Sequence, residues 1–180
     1  MNTPTGPHSR KRTLRSAALV AALASAGLGL GAPPAAADPV SVDYTCTGPG
    51  APGGVQSLRV TMAAPESVPQ GGTAELTVEV TTQLTVPISV PARSVTGEME
   101  IAIGGAGSGS VTATGFTNPG SIPSGSTVTL TGGTASARLD TAGSTTFSPG
   151  NAAVHVFGVT VNCTVSGTAP VAATTDVTAG

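Results

Sequence analysis

The stretch that decides the fold is Val40-Ser41-Val42-Asp43-Tyr44-Thr45-Cys46-Thr47, in which apolar and polar side chains alternate at every step. This period of two predicts a strand with one buried face. The same alternation returns along the chain, chiefly in residues 58–62, 74–80, 99–103, 111–113 and 155–165, between segments rich in Gly and Pro. Eight or nine short strands of this kind predict an all-β protein, and we expect an antiparallel two-layer β-sandwich.

Several connections between these strands can be predicted from Gly and Pro. Residues 84–90 alternate, but Pro87 and Pro91 cannot donate ladder hydrogen bonds, which predicts an edge strand or a connection that crosses the sheet. Gly132-Gly133 predicts a hairpin, and residues 148–151 predict the last strong turn. The residues after Gly167 are mainly small and polar, so we expect a polar C-terminal tail at 168–180.

The first 37 residues have the pattern of a cleaved signal peptide. Four basic residues (Arg10, Lys11, Arg12 and Arg15) precede an uncharged apolar stretch over residues 17–30, and small residues follow. We expect cleavage between Ala37 and Asp38, which leaves a β-sandwich domain over 38–167 before the tail. The apolar stretch is too short for a membrane span, so the mature form has none; a short N-terminal anchor is the alternative. No adjacent arginines are present, which favours the Sec route.

Removal of this leader changes the charge of the protein. The chain has seven basic and nine acidic residues, and four of the basic ones lie in the leader. Residues 38–180 keep three arginines (Arg59, Arg93 and Arg138) and all nine acids, a net charge of −6. Phosphate binding needs clustered Lys and Arg, so we expect no nucleic-acid partner, and anionic membrane surfaces are disfavoured for the same reason.

The two cysteines, Cys46 and Cys163, fall on the apolar phase of the first and last predicted strands. An exported chain meets an oxidising environment, and two cysteines allow one intramolecular pairing, so we predict a disulfide between them. A reactive or metal-binding thiol is the alternative. No Trp is present to pack on the bond, and Val161 stands where true immunoglobulin domains have a Tyr. The sandwich is therefore expected to be immunoglobulin-like in its layering only.

The segments around the cysteines also carry a resemblance. Tyr44-Thr45-Cys46-Thr47 and Val161-Asn162-Cys163-Thr164 resemble a group of secreted actinobacterial domains of unknown function. Residues 65–72, with the pattern Pro-x-x-Val-Pro-x-Gly-Gly, are similar to a turn in many bacterial immunoglobulin-like modules. The resemblance implies a β-sandwich and an extracellular setting, and it implies no activity.

Few residues of the mature chain suggest chemistry. His155 is its only histidine, and we expect it to be a partly buried, hydrogen-bonded strand residue rather than a general base or metal ligand. The close acid pairs, Glu75 with Glu79 and Glu98 with Glu100, are predicted to face solvent, which suits neither a glycosidase nor a buried metal site. A surface calcium site from these acids is the open alternative. We expect no catalytic residues, no metal and no cofactor.

These observations predict a secreted, non-catalytic β-sandwich protein, free or associated with the cell wall, that acts through contacts with an envelope or extracellular protein. An exposed edge such as residues 85–91 could recruit a partner strand. The alternative from another class is a secreted protease inhibitor that presents residues 115–125 as a rigid loop. A hydrolase is the third class, and it predicts loss of activity in His155→Ala.

Overall fold

The computed structural model describes Ala35, Ala36 and residues 38–180, and none of these residues is helical. The prediction of an all-β protein is confirmed. The leader prediction, apart from Ala35 and Ala36, lies outside the described residues. The described residues form eleven strands: β1 (Ala35–Ala36), β2 (Val40–Thr47), β3 (Val55–Ala64), β4 (Ser67–Pro69), β5 (Gly72–Thr85), β6 (Val95–Gly105), β7 (Gly109–Thr117), β8 (Thr127–Leu139), β9 (Gly143–Val156), β10 (Val159–Val165) and β11 (Ala173–Thr178).

The strands belong to one continuous sheet, in the order β10-β2-β3-β5-β8-β7-β6-β9-β11-β4, with β1 paired to β3. Because β9 also pairs with β10, eight strands close into a hydrogen-bonded ring. Every pairing is antiparallel except that of β11 with β4. The antiparallel prediction holds in the ring. The expected immunoglobulin-like two-layer division is not confirmed, since the strands form a single sheet.

The core lies inside this ring and contains mainly aliphatic side chains. Alternation along β3 and β5 places Val60, Met62 and Leu76 inside, each at most 1% exposed, with Arg59, Glu75 and Glu79 outside. Tyr44 is also fully buried, and its hydroxyl donates a 2.8 Å hydrogen bond to the carbonyl of Gly150. Burial raises the pKa of the Tyr44 phenol above its ordinary value, because the phenolate would lose its hydration.

The predicted hairpin at Gly132-Gly133 is wrong, because β8 runs through both glycines. The register against β5 shifts there, between Val78 and Val80, so the pair forms a bulge rather than a turn. Gly132 has φ +80°, and a Cβ on Gly133 would overlap the ring of Phe116. The glycines are needed because β8 must bend around a buried aromatic ring.

The predicted turn at residues 148–151 is also wrong, since these residues lie within β9. The ladder with β6 changes register between Met99 and Ile101, directly opposite Pro149. A proline has no N–H to donate, and a bulge lets a strand contain it. A Cβ on Gly150 would lie 3.0 Å from the carbonyl oxygen of Glu100, so this glycine allows the close approach of β6.

The predicted last strand over residues 155–165 is two strands. β9 ends at Val156, Phe157 and Gly158 form the turn, and β10 begins at Val159. His155 therefore lies on β9, and its side chain is exposed rather than partly buried. Val161, Cys163 and Val165 keep the inward phase that the sequence predicted.

The predicted polar tail at 168–180 contains a strand that the sequence did not predict, because Ala173–Thr178 forms β11. Thr175 and Val177 are buried, at 1% and 4% exposure, and the strand pairs with the first half of β9. On its other edge β11 runs parallel to β4. The inward positions hold small residues, which is why a sequence-based strand prediction missed them.

Candidate interaction site at the loop end

The disulfide between Cys46 and Cys163 is formed, as the sequence predicted. The two residues stand directly opposite each other on β2 and β10, with their Cα atoms 4.0 Å apart. Cys163 is buried and Cys46 is half-buried. Since β10 also pairs with β9, the bond fixes the first strand of the ring to the strand that closes it.

The predicted cleavage site lies at the margin of the described residues. Ala37 is outside them, while Asp38 is exposed and precedes β2. Ala35 and Ala36 pair with Ala64 and Ala63 of β3, so cleavage after Ala37 would remove β1 from the sheet. The cleavage itself stays a prediction.

The residues considered for catalysis lie on the outer surface. Nδ1 of His155 is 2.9 Å from Oγ1 of Thr160, its cross-strand partner. Glu75 accepts a 2.6 Å hydrogen bond from the Ser136 hydroxyl and, like Glu79, faces solvent. These contacts tie surface side chains to neighbouring strands, and they give His155 a hydroxyl partner rather than the carboxylate partner of a catalytic triad.

The second acid pair borders a shallow depression of about 280 Å³ on the outer surface. Glu98 is exposed and Glu100 is half-buried, and Asn151 and Asn162 complete much of the lining. Among the residues that the structure describes, no three His, Cys, Asp or Glu side chains gather closely enough to hold a metal ion.

A different region gathers features that sequence analysis did not bring together. Four connections meet at one end of the ring: residues 48–54, 86–94, 118–126 and 157–158. We call this the loop end. Strand pairs next to these connections place them together: Thr47 with Asn162, Val95 with Val156, Thr96 with Thr117, and Thr85 with Thr127. The start of β2 and the end of β11 lie at the opposite end.

Two of these connections are fastened to each other by hydrogen bonds. Val90 and Ile122 exchange backbone hydrogen bonds of 2.8 Å in both directions. Asn118, only 1% exposed, accepts from the N–H of Val95 at 2.9 Å and donates to the carbonyls of Pro91 and Gly120. The predicted open edge at residues 85–91 is therefore partly occupied by the chain itself, and residues 118–125 are braced.

The loop end carries most of the large apolar side chains that remain in solvent. Within residues 38–180 four such side chains are exposed, and three of them lie in the loop end or directly beside it: Ile88 (59%), Phe157 (61%) and Val55 (59%), the first residue of β3. The fourth, Val171, lies between β10 and β11. Arg93 is the one charged residue in the four connections, and none of the nine carboxylates belongs to them.

Phe157 and Arg93 both have left-handed backbone conformations, with φ +49° and +57°. Phe157 and Gly158 (φ +79°) form a two-residue turn in which both φ values are positive, as type I′ turns require. Such turns favour Asn, Asp or Gly. For other residues with a Cβ, this backbone conformation costs about 1–2 kcal/mol of conformational energy. In the sequence, this turn is marked by Phe157-Gly158, two residues that interrupt the alternation of apolar and polar side chains between Val156 and Val159.

Comparisons with protein-family models, with curated proteins and with solved structures found no match. In the part of the chain that the structure describes, no helix is both long and apolar enough to cross a membrane.

Proposed function

We propose that the protein is a secreted, non-catalytic β domain that binds a protein in the cell envelope or outside the cell through its loop end. The observation that carries this proposal is that three of the four large apolar side chains exposed within residues 38–180, Val55, Ile88 and Phe157, lie at the same end of the ring. Exposed apolar side chains that group together mark interaction sites, whereas single ones do not. The start of β2 and the end of β11 lie at the other end of the ring.

The secreted location is supported by the leader and by the disulfide. A basic segment, an apolar stretch and Ala35-Ala36-Ala37 precede the domain. A disulfide persists in oxidising compartments, so the Cys46–Cys163 bond is consistent with an extracellular protein. Residues 38–180 contain no lysine and have a net charge of −6, and a net charge far from zero helps to keep a secreted domain in solution.

The finer fold assignment, an immunoglobulin-like arrangement in two facing layers, is also part of the proposal. It is supported by a small apolar cavity of about 40 Å³ among the core side chains. Leu58, Val80 and Leu130 line this cavity from β3, β5 and β8, while Met99 and Phe116 line it from β6 and β7. β3 and β6 lie on opposite sides of the ring, so their side chains face each other across this cavity, as in a sandwich. The likeness to secreted actinobacterial domains is proposed on the segments around the cysteines.

The absence of catalysis is proposed from the surroundings of the candidate groups. A general base needs a reacting group within hydrogen-bond reach and a pKa suited to its task. His155 contacts the hydroxyl of Thr160 on an open strand surface, and Glu75 contacts Ser136. Neither contact joins a nucleophile, a base and an orienting group.

A second candidate, a secreted protease inhibitor, is favoured by the bracing of residues 118–125. Such a loop must be rigid when it enters an active site, because ordering it on binding weakens the complex. Here Asn118 and the Val90–Ile122 pair hold the loop without a disulfide. A panel of serine proteases and metalloproteases tests this function, and unchanged rates at micromolar protein would exclude it.

The main proposal is tested by immobilising residues 38–180 in the oxidised form and applying envelope and culture-medium fractions. We expect one protein to bind saturably and to be displaced by free domain. The control is the same bait with its loop end blocked, by a bulky maleimide on a Ser89→Cys variant, which should capture less. Failure to capture any saturable partner across all fractions would contradict the proposal.

A further inference from the structure

The turn at Phe157 combines two unfavourable choices. The residue adopts a backbone conformation in which Asn or Gly would be less strained, and its ring is 61% exposed rather than packed in the core. This core has few aromatic residues, and Phe116 and Phe147 are buried in it. Strain that packing does not explain points to a functional role for the side chain concerned.

The charge around the turn limits what can bind there. Val95 of β6 pairs with Val156 of β9, so Arg93 precedes one strand end and Phe157 follows the adjacent one. Arg93 is exposed, and its backbone is held by a 2.9 Å hydrogen bond from its N–H to the carbonyl of Asn118. The four connections carry this one cation and no carboxylate, while nine carboxylates lie elsewhere on residues 38–180.

We propose that Phe157 is the anchor of the loop end. Its phenyl ring enters an apolar pocket of a protein partner, and Arg93 pairs with a carboxylate on the rim of that pocket. This inference rests on the proposed function and specifies the chemistry of the partner. Aromatic residues and arginine supply most of the binding energy at protein interfaces, where an apolar anchor is surrounded by a polar rim.

A protein partner fits these observations better than a lipid surface or a second copy. Binding to an anionic membrane needs several basic residues, and the loop end has Arg93 alone in a domain of net charge −6. In a two-fold dimer of loop ends, the facing copy would offer Arg93 no carboxylate from these connections. A protein with an apolar pocket and an acidic rim can bind the Phe157 phenyl group and the Arg93 guanidinium at the same time.

The first experiment uses a chemical mimic of such a pocket. Carboxymethyl-β-cyclodextrin has an apolar cavity wide enough for a phenyl ring and carboxylates on its rim, and neutral β-cyclodextrin lacks the carboxylates. Titration of residues 38–180, followed by NMR, should shift the resonances of Phe157 and Gly158 first. We expect the anionic host to bind about fivefold more tightly at low salt, and this preference should shrink as added salt screens Arg93.

Variants separate the two contacts. Phe157→Asn keeps a residue that tolerates positive φ, and it should weaken binding of the anionic host at least about tenfold, or about 1.4 kcal/mol. Arg93→Gln should leave binding of the neutral host unchanged and abolish the preference for the anionic one. Val171→Asn removes an exposed apolar side chain outside the loop end and should change neither the affinity for the anionic host nor that for the neutral host. Equal binding of both hosts by the unmodified domain would overturn the pairing of Arg93 with Phe157.

The same variants are then applied to the partner captured by the unmodified domain. At least about tenfold weaker binding by Phe157→Asn, with no loss in Val171→Asn, supports the anchor. If the partner binds Phe157→Asn as tightly as it binds the unmodified domain, the role of Phe157 as the anchor is overturned, while the proposed function still holds. Vesicles of phosphatidylcholine and phosphatidylglycerol serve as the lipid arm, and binding to them that depends on Phe157 would overturn the protein partner.

Discussion

Loss of the disulfide should cost much of the stability of the domain. In the double variant Cys46→Ala/Cys163→Ala, the unfolded chain gains the freedom of a loop that spans a sequence separation of 117 residues. The chain-entropy relation gives about 4.9 kcal/mol for a loop of this length at 25 °C. Domains of this size have unfolding free energies of about 5–15 kcal/mol. We therefore expect the variant to fold, through the remaining β2–β10 and β9–β10 ladders, but with a third or more of its stability lost.

Urea unfolding measures this loss, with the fluorescence of Tyr44 as the probe, because the chain has one Tyr and no Trp. The midpoint should fall by well over 1 M at a typical slope of about 1–3 kcal/mol/M. The reduced, unmodified domain should unfold within about 1 kcal/mol of the variant. A loss below about 1 kcal/mol in both would refute the claim that this bond constrains the ring.

Three further predictions concern the core. Burial raises the pKa of Tyr44 above the unfolded value of about 10, so the folded phenol should stay neutral past pH 10, as tyrosinate absorbance would show. The free energy of unfolding should therefore fall as the pH rises above 10, and circular dichroism would report the loss of the fold. Gly133→Ala should lose about 1–3 kcal/mol in urea unfolding, because the added methyl overlaps the ring of Phe116. Thr145→Val should raise the free energy of unfolding by about 1 kcal/mol, because the Thr145 hydroxyl is buried with no hydrogen-bond partner in the described structure. Thr175→Val should lower it by about 1 kcal/mol, because this variant loses the 2.8 Å hydrogen bond to the carbonyl of Pro65.

Each of these outcomes has a control. Tyrosinate absorbance that grew at pH 10 while the sheet stayed folded would contradict the burial argument. Gly53→Ala adds a methyl where nothing lies within 4 Å, so it should change stability by less than about 0.5 kcal/mol. A loss in Gly53→Ala as large as in Gly133→Ala would show that overlap with Phe116 is not the cause. Equal effects of Thr145→Val and Thr175→Val would contradict the difference in hydrogen bonding.

Strands with large apolar residues on one phase could be predicted from the sequence. Leu58, Val60 and Met62 alternate with polar residues and lie inside β3 as expected. The disulfide followed from two cysteines on the apolar phase of their strands. In contrast, β11 has Ala173 and Thr175 at inward positions, and their small side chains give no clear apolar alternation.

The errors at glycines have two different causes. A Gly-Gly pair suits a hairpin turn and a bulge equally well, and the choice at Gly132-Gly133 depends on the distant ring of Phe116. At Phe157-Gly158 the inward positions change from even numbers in β9 (Val154 and Val156) to odd numbers in β10 (Val161 and Cys163). One uninterrupted strand would keep a single phase, so the prediction of one strand wrongly placed His155 and Phe157 on the inward face.

The loop end could not be predicted, because it depends on the order of the strands. Val55, Ile88 and Phe157 are far apart in the sequence, and their location at one end of the ring follows from the strand order and from the closure of the ring by β9 and β10. The sequence did predict an edge strand or a connection at residues 84–91 and a loop at 115–125, although residues 115–117 belong to β7. It did not show that Asn118 fastens one to the other.

The central claim, an exported domain closed by one disulfide, is tested most directly by intact mass with and without reduction. The protein would be recovered separately from culture medium and from the cell wall. We predict a species that begins at Asp38 and gains two hydrogens on reduction, in one or both fractions. An uncleaved chain with free thiols at Cys46 and Cys163 would contradict the leader, the oxidised ring and the extracellular function proposed for the loop end.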